Sequence, residues 1–316
     1  MPAISAYAPG KTILLGEHAV VYNRPAIAIP VDKIQARAAI YAEPLRPLGW
    51  VWLDAPNINL QTDLSALGKD HPLRMAVDLV LTALEMDHLP ACRIQITSTI
   101  PVAAGLGSGA AVSVALVRAL SAFLGIPLPA EQVCNLAYEV EKRHHGTPSG
   151  IDNTVITYDR PIFFIKDQPF ELLEVKSPLT LLLADTGIQS PTRTAVEDVR
   201  QLWLHDTIRF NDLFDAIGQL VKEARTALQL GDIPRLGLLM QQNQILLQEM
   251  TVSSPELDAL VNAARNAGAY GAKLSGAGRG GNLIALVESG QSETVSQALL
   301  QAGAVSVLTT TLPASS

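Results

Sequence analysis

The sequence predicts an α+β protein in two domains, and three observations carry that expectation. From Ala26 to Leu53 the chain has strand-like runs rich in Ile, Val and Ala. From about residue 190 to about residue 267 it changes to long helical patterns, then closes as strand-loop-strand, helix and strand. Hydrophobic residues make up 48% of the 316 and aromatics only 5%, so the core is expected to be Ala, Val, Ile and Leu in packed helices and sheets. The expected division gives an N-terminal domain over 1–180 and a C-terminal domain over 181–316.

In chain order, Ala26 to Ile40 and Trp50 to Leu53 read as strands. Residues 71–86 put Leu73, Val77, Val80, Leu81 and Leu84 on one helical face. Arg93 to Ser98 alternates like a half-buried strand. The stretch PVAAGLGSGAAVSVALVRALSAFLG (101–125) passes from a Pro-started, Gly-rich loop into a small-residue helix. Glu131 to His145 makes a second helix with Val133, Leu136, Ala137 and Val140 on one face. Strands are expected at 161–165 and 179–184, and a final one at 305–310.

A formal net charge of −7 and the absence of a basic stripe exclude nucleic acid as the main partner. A polyphosphate ligand stays open, because backbone amides and a metal ion supply positive charge locally. The two cysteines, Cys92 and Cys134, sit in periodic apolar segments and are expected to be buried, reduced thiols. The most apolar stretch, Val102 to Val117, is too short and too broken by glycine to span a membrane. With no charged-then-apolar leader at the N-terminus, the expected location is cytoplasmic.

Four motifs bear on chemistry. The segment APGKTILLGEHAVVY (8–22) contains Gly10-Lys11-Thr12, the end of a Walker A loop, but the glycine required five places earlier is Ser5. Lys11 is then either a plain lysine or part of a site built differently. GLGSGAAV (105–112) opens a helix, where free backbone amides and small residues form an anion site; a tight packing turn reads equally well. Its Gly105, Gly107 and Ala110 also imitate a dinucleotide fingerprint with Glu131 as the later acid, although a helix and not a strand follows.

In EKRHHGTPSGIDN (141–153), Glu141 extends the apolar row of its helix. Gly146, Pro148 and Gly150 then break the helix and set a tight turn presenting Asp152. Two such carboxylates suit a metal ligand and a separate base, against a plain solvated pair. The adjacent His144 and His145 lack zinc-site spacing and read as solvated. GAKLSGAGRGGNLIALVE (271–288) is a strand, a glycine-dense loop and a strand, and the glycines point to close backbone approach to a ligand.

Taken together and in this order, from about residue 6 to 288, these motifs resemble those of the GHMP small-molecule kinases. HGTPSGIDN and the Glu-His pair of GEHAVVY look most like the branch of that family that acts on mevalonate. The resemblance implies a two-domain GHMP kinase fold, N-terminal ribosomal-protein-S5-domain-2-like and C-terminal ferredoxin-like. It implies ATP as co-substrate, Mg²⁺ as cofactor and phosphorylation of the 5-hydroxyl of mevalonate in isoprenoid precursor synthesis; a homodimer is compatible with it. Asp152 matches the family's catalytic base and Lys11 the catalytic lysine that stabilises the forming alkoxide. Gly105, Leu106, Gly107, Ser108, Gly109, Ala110 and Ala111 match its ATP-phosphate loop, and Glu141 with Ser108 its metal site. Glu17, His18, Ser149 and Thr186 match substrate-side positions, Thr186 lying in ADTGIQSPTR (184–193). Ser275, Gly276 and Gly278 belong to the third Gly-rich motif.

The chain departs from the family pattern at three positions. Gly109 stands where a serine helps hold the metal, and Arg279 and Asn282 stand where glycine and cysteine are usual. Arg279 is expected either to touch phosphate or to reach solvent. Phosphomevalonate or a small sugar alcohol as acceptor, a non-catalytic binding protein of the same fold, and a dehydrogenase remain the alternatives at this point.

Overall fold

The computed structural model describes residues 3–101, 105–145, 148–189 and 192–315, without the side chains of His144, His145, Thr192 and Arg193. The His144–His145 side chains, the break at Gly146, residues 102–104 of the Gly-rich loop and residues 190–191 of ADTGIQSPTR therefore lie outside the described residues.

The first half of the described chain runs β1 (Ile4–Leu15), β2 (Ala26–Ala42), β3 (Val51–Ala55), β4 (Leu60–Asp63), α1 (Pro72–Ala83), β5 (Cys92–Ser98), α2 (Ser108–Phe123), α3 (Ala130–His145) and α4 (Ile151–Tyr158). The second half runs β6 (Ile162–Phe164), β7 (Glu171–Leu172), β8 (Leu179–Asp185), α5 (Thr192–His205), α6 (Thr207–Leu230), α7 (Ile233–Glu249), α8 (Pro255–Asn266), β9 (Gly271–Ser275), β10 (Asn282–Val287), α9 (Ser292–Gln301) and β11 (Ser306–Leu312). Gly10-Lys11-Thr12 lies within β1, so the residues that imitate a Walker loop are extended backbone. Helix starts follow ordinary capping rules: Asp206, Asp232 and Ser254 accept from backbone amides of α6, α7 and α8, with Pro in the first turn of α7 and α8.

The chain forms two compact units, each built from separate stretches. The first comprises Met1–Gly10, Asp32–Pro101 and Gly107–Asp159. Here β2 pairs antiparallel with β5, β5 parallel with β3, and β3 antiparallel with β4. Cys92, Ile94 and Ile96 of β5 are buried while Arg93 faces water, as period-two alternation requires. Helix α2 is buried along nearly its whole length, because its Ala, Ser and Val residues let α1, α3 and α4 approach closely.

The second unit comprises Lys11–Val31, Val102–Leu106 and Arg160–Ser316. Its main sheet has the order β11-β8-β10-β9, antiparallel throughout, and with α8 and α9 it runs strand-helix-strand-strand-helix-strand. That is the ferredoxin-like arrangement. Every residue of β9 and β10 is buried, and each fully buried Leu contributes about 2 kcal/mol relative to exposure. Helix α7 packs on β9 so closely that a Cβ on Gly271 would stand 2.1 Å from the Gly237 carbonyl oxygen.

Only glycine fits at that crossing, since both neighbouring atoms are backbone and cannot swing away. Gly271→Ala is therefore expected to destabilise the chain by about 3 kcal/mol, the upper range for overpacking. Thermal unfolding should show a drop of several degrees, whereas Gly290→Ala, with open space around it, should leave the midpoint unchanged.

Candidate active site

In the first unit, Gly107 has φ +77° and caps α2 without a side-chain hydrogen bond, so the amides of the first turn face outward free of any capping side chain. Glu141 of α3 is buried, and its Oε1 lies 3.2 Å from where a Cβ on Gly109 would stand. The structure thus brings together the two halves of the sequence-derived phosphate and metal set, Ser108–Ala111 and Glu141. A carboxylate beside an uncapped helix start is a donor set that fits Mg²⁺ held largely through phosphate oxygens and water. A Cβ at Gly109 would press on the Glu141 Oε1, so the glycine is what lets Glu141 stand so close to the helix start.

Asp152 lies in the first turn of α4, which corrects the expectation of a tight turn presenting it. Gly150, at φ +90°, caps this helix, and the Thr154 hydroxyl donates to the Gly150 carbonyl at 2.7 Å. Ser149 accepts from the Ile151 amide with its hydroxyl, at 3.4 Å. An acidic residue in a first turn is favoured by the helix dipole. Asn153, next in sequence, turns into the interior and donates to the Cys134 carbonyl at 3.3 Å, tying α4 to α3.

In the second unit, the Lys11 amide donates to the Leu106 carbonyl at 3.0 Å, which joins β1 to the Gly-rich loop; the Lys11 side chain is buried. Thr12 Oγ1 and Ser275 Oγ are hydrogen-bonded at 2.6 Å. His18 Nε2 donates to the Ala277 carbonyl at 3.0 Å. Glu17 is fully buried, with Oε1 paired to Lys273 and Oε2 accepting from Asn243 at 3.3 Å. Burial raises the Glu17 carboxyl and lowers the Lys273 ammonium, and each group's charge opposes the other's shift. Thr186 turns its hydroxyl to the Gly281 carbonyl at 2.9 Å, and its amide donates there too.

The third Gly-rich loop needs a partial correction. At Gly278 and Gly280 the close approach is to protein: added Cβ atoms would meet the Val252 oxygen at 2.0 Å and the Ile188 oxygen at 2.6 Å. Gly276 and Gly281, with φ +88° and +70°, have open space in front of them. Arg279 is also corrected. It does not reach freely into solvent, but pairs with Asp198 of α5 and donates its amide to the Val252 carbonyl at 2.7 Å. Asn282 begins β10, buried opposite Ser275 and Asp185.

The dinucleotide alternative fails on topology. Helix α2 is followed by α3 and α4 rather than a parallel strand, and Glu131 is exposed in the first turn of α3. Cys92 and Cys134 are buried and unbridged, and burial, with Glu43 nearby, pushes the Cys92 thiol up to about 12.

Residues 72–160 match the family model of the GHMP kinases N terminal domain, and residues 224–305 that of the GHMP kinases C terminal. The mevalonate kinases of Thermococcus sibiricus and Pyrococcus furiosus are each 36% identical to this chain, covering 97% of it and 95% of their own length. The chain belongs to the GHMP kinase family. Its fold is accordingly the two-domain GHMP kinase fold, and it is an ATP-dependent small-molecule kinase with ATP as co-substrate. Among solved structures, the L. major mevalonate kinase in complex with R-mevalonate superposes with a TM-score of 0.84 at 32% identity, covering 100% of this chain and 97% of that one.

Sequence reasoning missed Lys273, Asn243 and Asp198. A lysine between Ala272 and Leu274 in an otherwise apolar strand was a usable signal for the first. Asn243 and Asp198 sit in ordinary helical patterns that point to no partner.

His18 provides a pH test of the fold around it. Burial pushes its imidazole down to about 4 from an ordinary 6.5, opposed by the bond to the Ala277 carbonyl and aided by the Arg279 cation. Above 6.5 both folded and unfolded chains hold a neutral ring; between 6.5 and about 4 only the unfolded chain gains the proton. Acidification should therefore cost stability in that window, about 3 kcal/mol by its lower end at 1.36 kcal/mol per pH unit. Urea midpoints at pH 7, 6 and 5 are expected to fall for the parent, and His18→Asn should flatten that slope.

Proposed function

We propose that the chain transfers the γ-phosphoryl group of ATP to the 5-hydroxyl of mevalonate, giving 5-phosphomevalonate and ADP, with Mg²⁺ on the phosphates. The observation that carries the phosphoryl half is the buried Glu141 carboxylate against the uncapped start of α2. The acceptor is supported by relatives named mevalonate kinase at 36% identity over nearly the whole chain. It is supported also by the likeness to a solved enzyme bound to R-mevalonate. A cytoplasmic homodimer belongs to the same reading. Its cytoplasmic part is supported by the two buried, unbridged cysteines, and sedimentation of the purified chain tests the dimer. Among the described residues no helix is long and apolar enough to cross a membrane.

Phosphoryl transfer depends on positioning and charge neutralisation more than on covalent chemistry. The amides at the start of α2, residues 107–110, cradle the phosphates; the Ala111 amide already donates to the Gly107 carbonyl at 2.9 Å, so Ala111 serves there only as a small side chain. Glu141 and Ser108 are the side chains that would hold magnesium, which when bound neutralises and orients the phosphate oxygens. Asp152 accepts the proton of the attacking hydroxyl, and Lys11 stabilises the alkoxide as it forms. Glu17, with both oxygens already engaged, holds the turn that carries His18 beside the acceptor. Ser149 and Thr186 act on the substrate side, and Ser275, Gly276 and Gly278 shape the third loop around the nucleotide.

A coupled ADP-release assay with mevalonate, phosphomevalonate and a panel of sugars tests the acceptor: turnover is expected with mevalonate, and preference for another acceptor would refute the assignment. Asp152→Asn should lower kcat by about 10²–10⁴-fold, the usual contribution of a general base, with the mevalonate KM little changed. Lys11→Met should lower kcat by roughly a hundredfold, on the scale of removing one oxyanion donor. The double variant should lose less than the product of the two, since both groups serve one hydroxyl.

Glu141→Gln provides a separate metal test. It should lower kcat and raise the Mg²⁺ concentration needed for half-maximal rate, and Gly109→Ser should lower that requirement. A magnesium titration that is identical for parent and Glu141→Gln would return the carboxylate to a packing role.

A further inference from the structure

His18 sits at φ 60°, ψ −49°, and the Ala19 amide donates to the Glu17 carbonyl at 2.7 Å. This is a three-residue γ-turn of the positive-φ kind, which is rare and strained. Such a conformation persists only where its surroundings over-determine it. On its near side Gly16, at φ +106°, packs so tightly that a Cβ there would stand 2.5 Å from the Ala26 Cα. On its far side the turn is held by side chains.

Two of those side chains come from one strand face. In β9 the residues Lys273 and Ser275 project to the same side. Lys273 reaches Glu17 and also donates to the Leu274 carbonyl at 2.6 Å, while Ser275 meets Thr12. Two residues further on, the Ala277 carbonyl receives His18 Nε2. Asn243 of α7 is completely buried and points its amide at Glu17 Oε2, leaving its own Oδ1 without a hydrogen-bond partner.

A buried ion pair is a weak source of stability compared with apolar side chains of the same volume, because both charges lose their water. Its distinctive property is direction. An apolar pair would fill the space without fixing where the Glu17 carboxylate, and hence the turn, must lie.

We propose that Lys273 and Asn243 are positioning residues for phosphoryl transfer, holding the strained turn at His18 through Glu17 and tying it to the third Gly-rich loop. This rests on the reading of the chain as a mevalonate kinase. Neither residue touches substrate; both act through Glu17 and His18.

The test compares Lys273→Met with the double variant Glu17→Gln/Lys273→Met. The single variant strands a buried carboxylate and is expected to melt well below the parent. The double variant removes both charges and is expected to melt within a few degrees of the parent. Its kcat/KM for mevalonate should nevertheless fall at least tenfold, while ATP still raises its melting temperature as it does the parent's. A double variant with parental melting and parental kinetics overturns the proposal. Should that variant fail to fold, Asn243→Ala decides. Folded with kcat/KM reduced threefold or more and ATP protection intact, it supports positioning; folded with parental kinetics, it refutes it. The parent is assayed alongside. If it ignores mevalonate, the acceptor assignment has failed, and the same variants are then compared on the acceptor it does use.

Discussion

Glu17 and Lys273 lie too deep for water to solvate either charge, so each depends on the other and on the few dipoles aimed at them. Removing one would strand its partner, at a cost that commonly reaches 3–5 kcal/mol. The surrounding elements are arranged to prevent that. Strand β9 carries the lysine, the turn after β1 carries the glutamate, and α7 supplies the amide that completes the carboxylate's shell. The Gly237–Gly271 crossing belongs to the same requirement, because α7 must lie against β9 for Asn243 to reach its target. Packing and polar satisfaction therefore specify the same geometry in this unit.

An acidic chain that handles a polyphosphate must gather its positive potential locally. In the proposed reading the first unit does this at the start of α2, which has no side-chain cap and has a carboxylate beside it. That carboxylate would repel phosphate unless a cation stood between them, which is the physical argument for a metal at this spot. The second unit holds a buried lysine, Lys11, one strand residue away from the Thr12–Ser275 hydrogen bond. Arg279, the cation that sequence reasoning offered to phosphate or to solvent, is paired with Asp198 and so fixes the loop, while its charge is still felt at His18.

Local periodicity made much of the fold legible. The apolar rows of α1 and α3, the alternation of β5 and the strand-loop-strand near the end of the chain all sit where their patterns put them. Helix α4 was not legible. Its eight residues include Ile, Thr and Val, whose branched side chains favour strands, and it forms because six of the eight are buried against neighbouring helices. β1 was hidden for the opposite reason, since a glycine and a lysine interrupt its apolar run. At the candidate site, residue types at motif spacing singled out the turn at 105–111 and Glu141, which the structure brings together, and Asp152 in the first turn of α4. The long-range partners of Glu17 and Arg279 were beyond reach: Lys273 meets Glu17 across 256 positions and Asp198 meets Arg279 across 81. Local spacing carries no record of such contacts.

The interleaving of the two units bears on the order in which the chain can assemble. Residues 11–31 leave the ribosome early yet belong with residues 160–316, and Thr12 waits for Ser275 until most of the chain exists. During synthesis the Ile13–Leu15 end of β1 therefore spends its first moments without the partners that later cover it, open to off-pathway pairing. Such long-range closure gives the second unit a high contact order and slows its folding. A cut anywhere between residues 32 and 159 severs the second unit as well as the first, and any continuous fragment that holds one unit whole carries segments of the other.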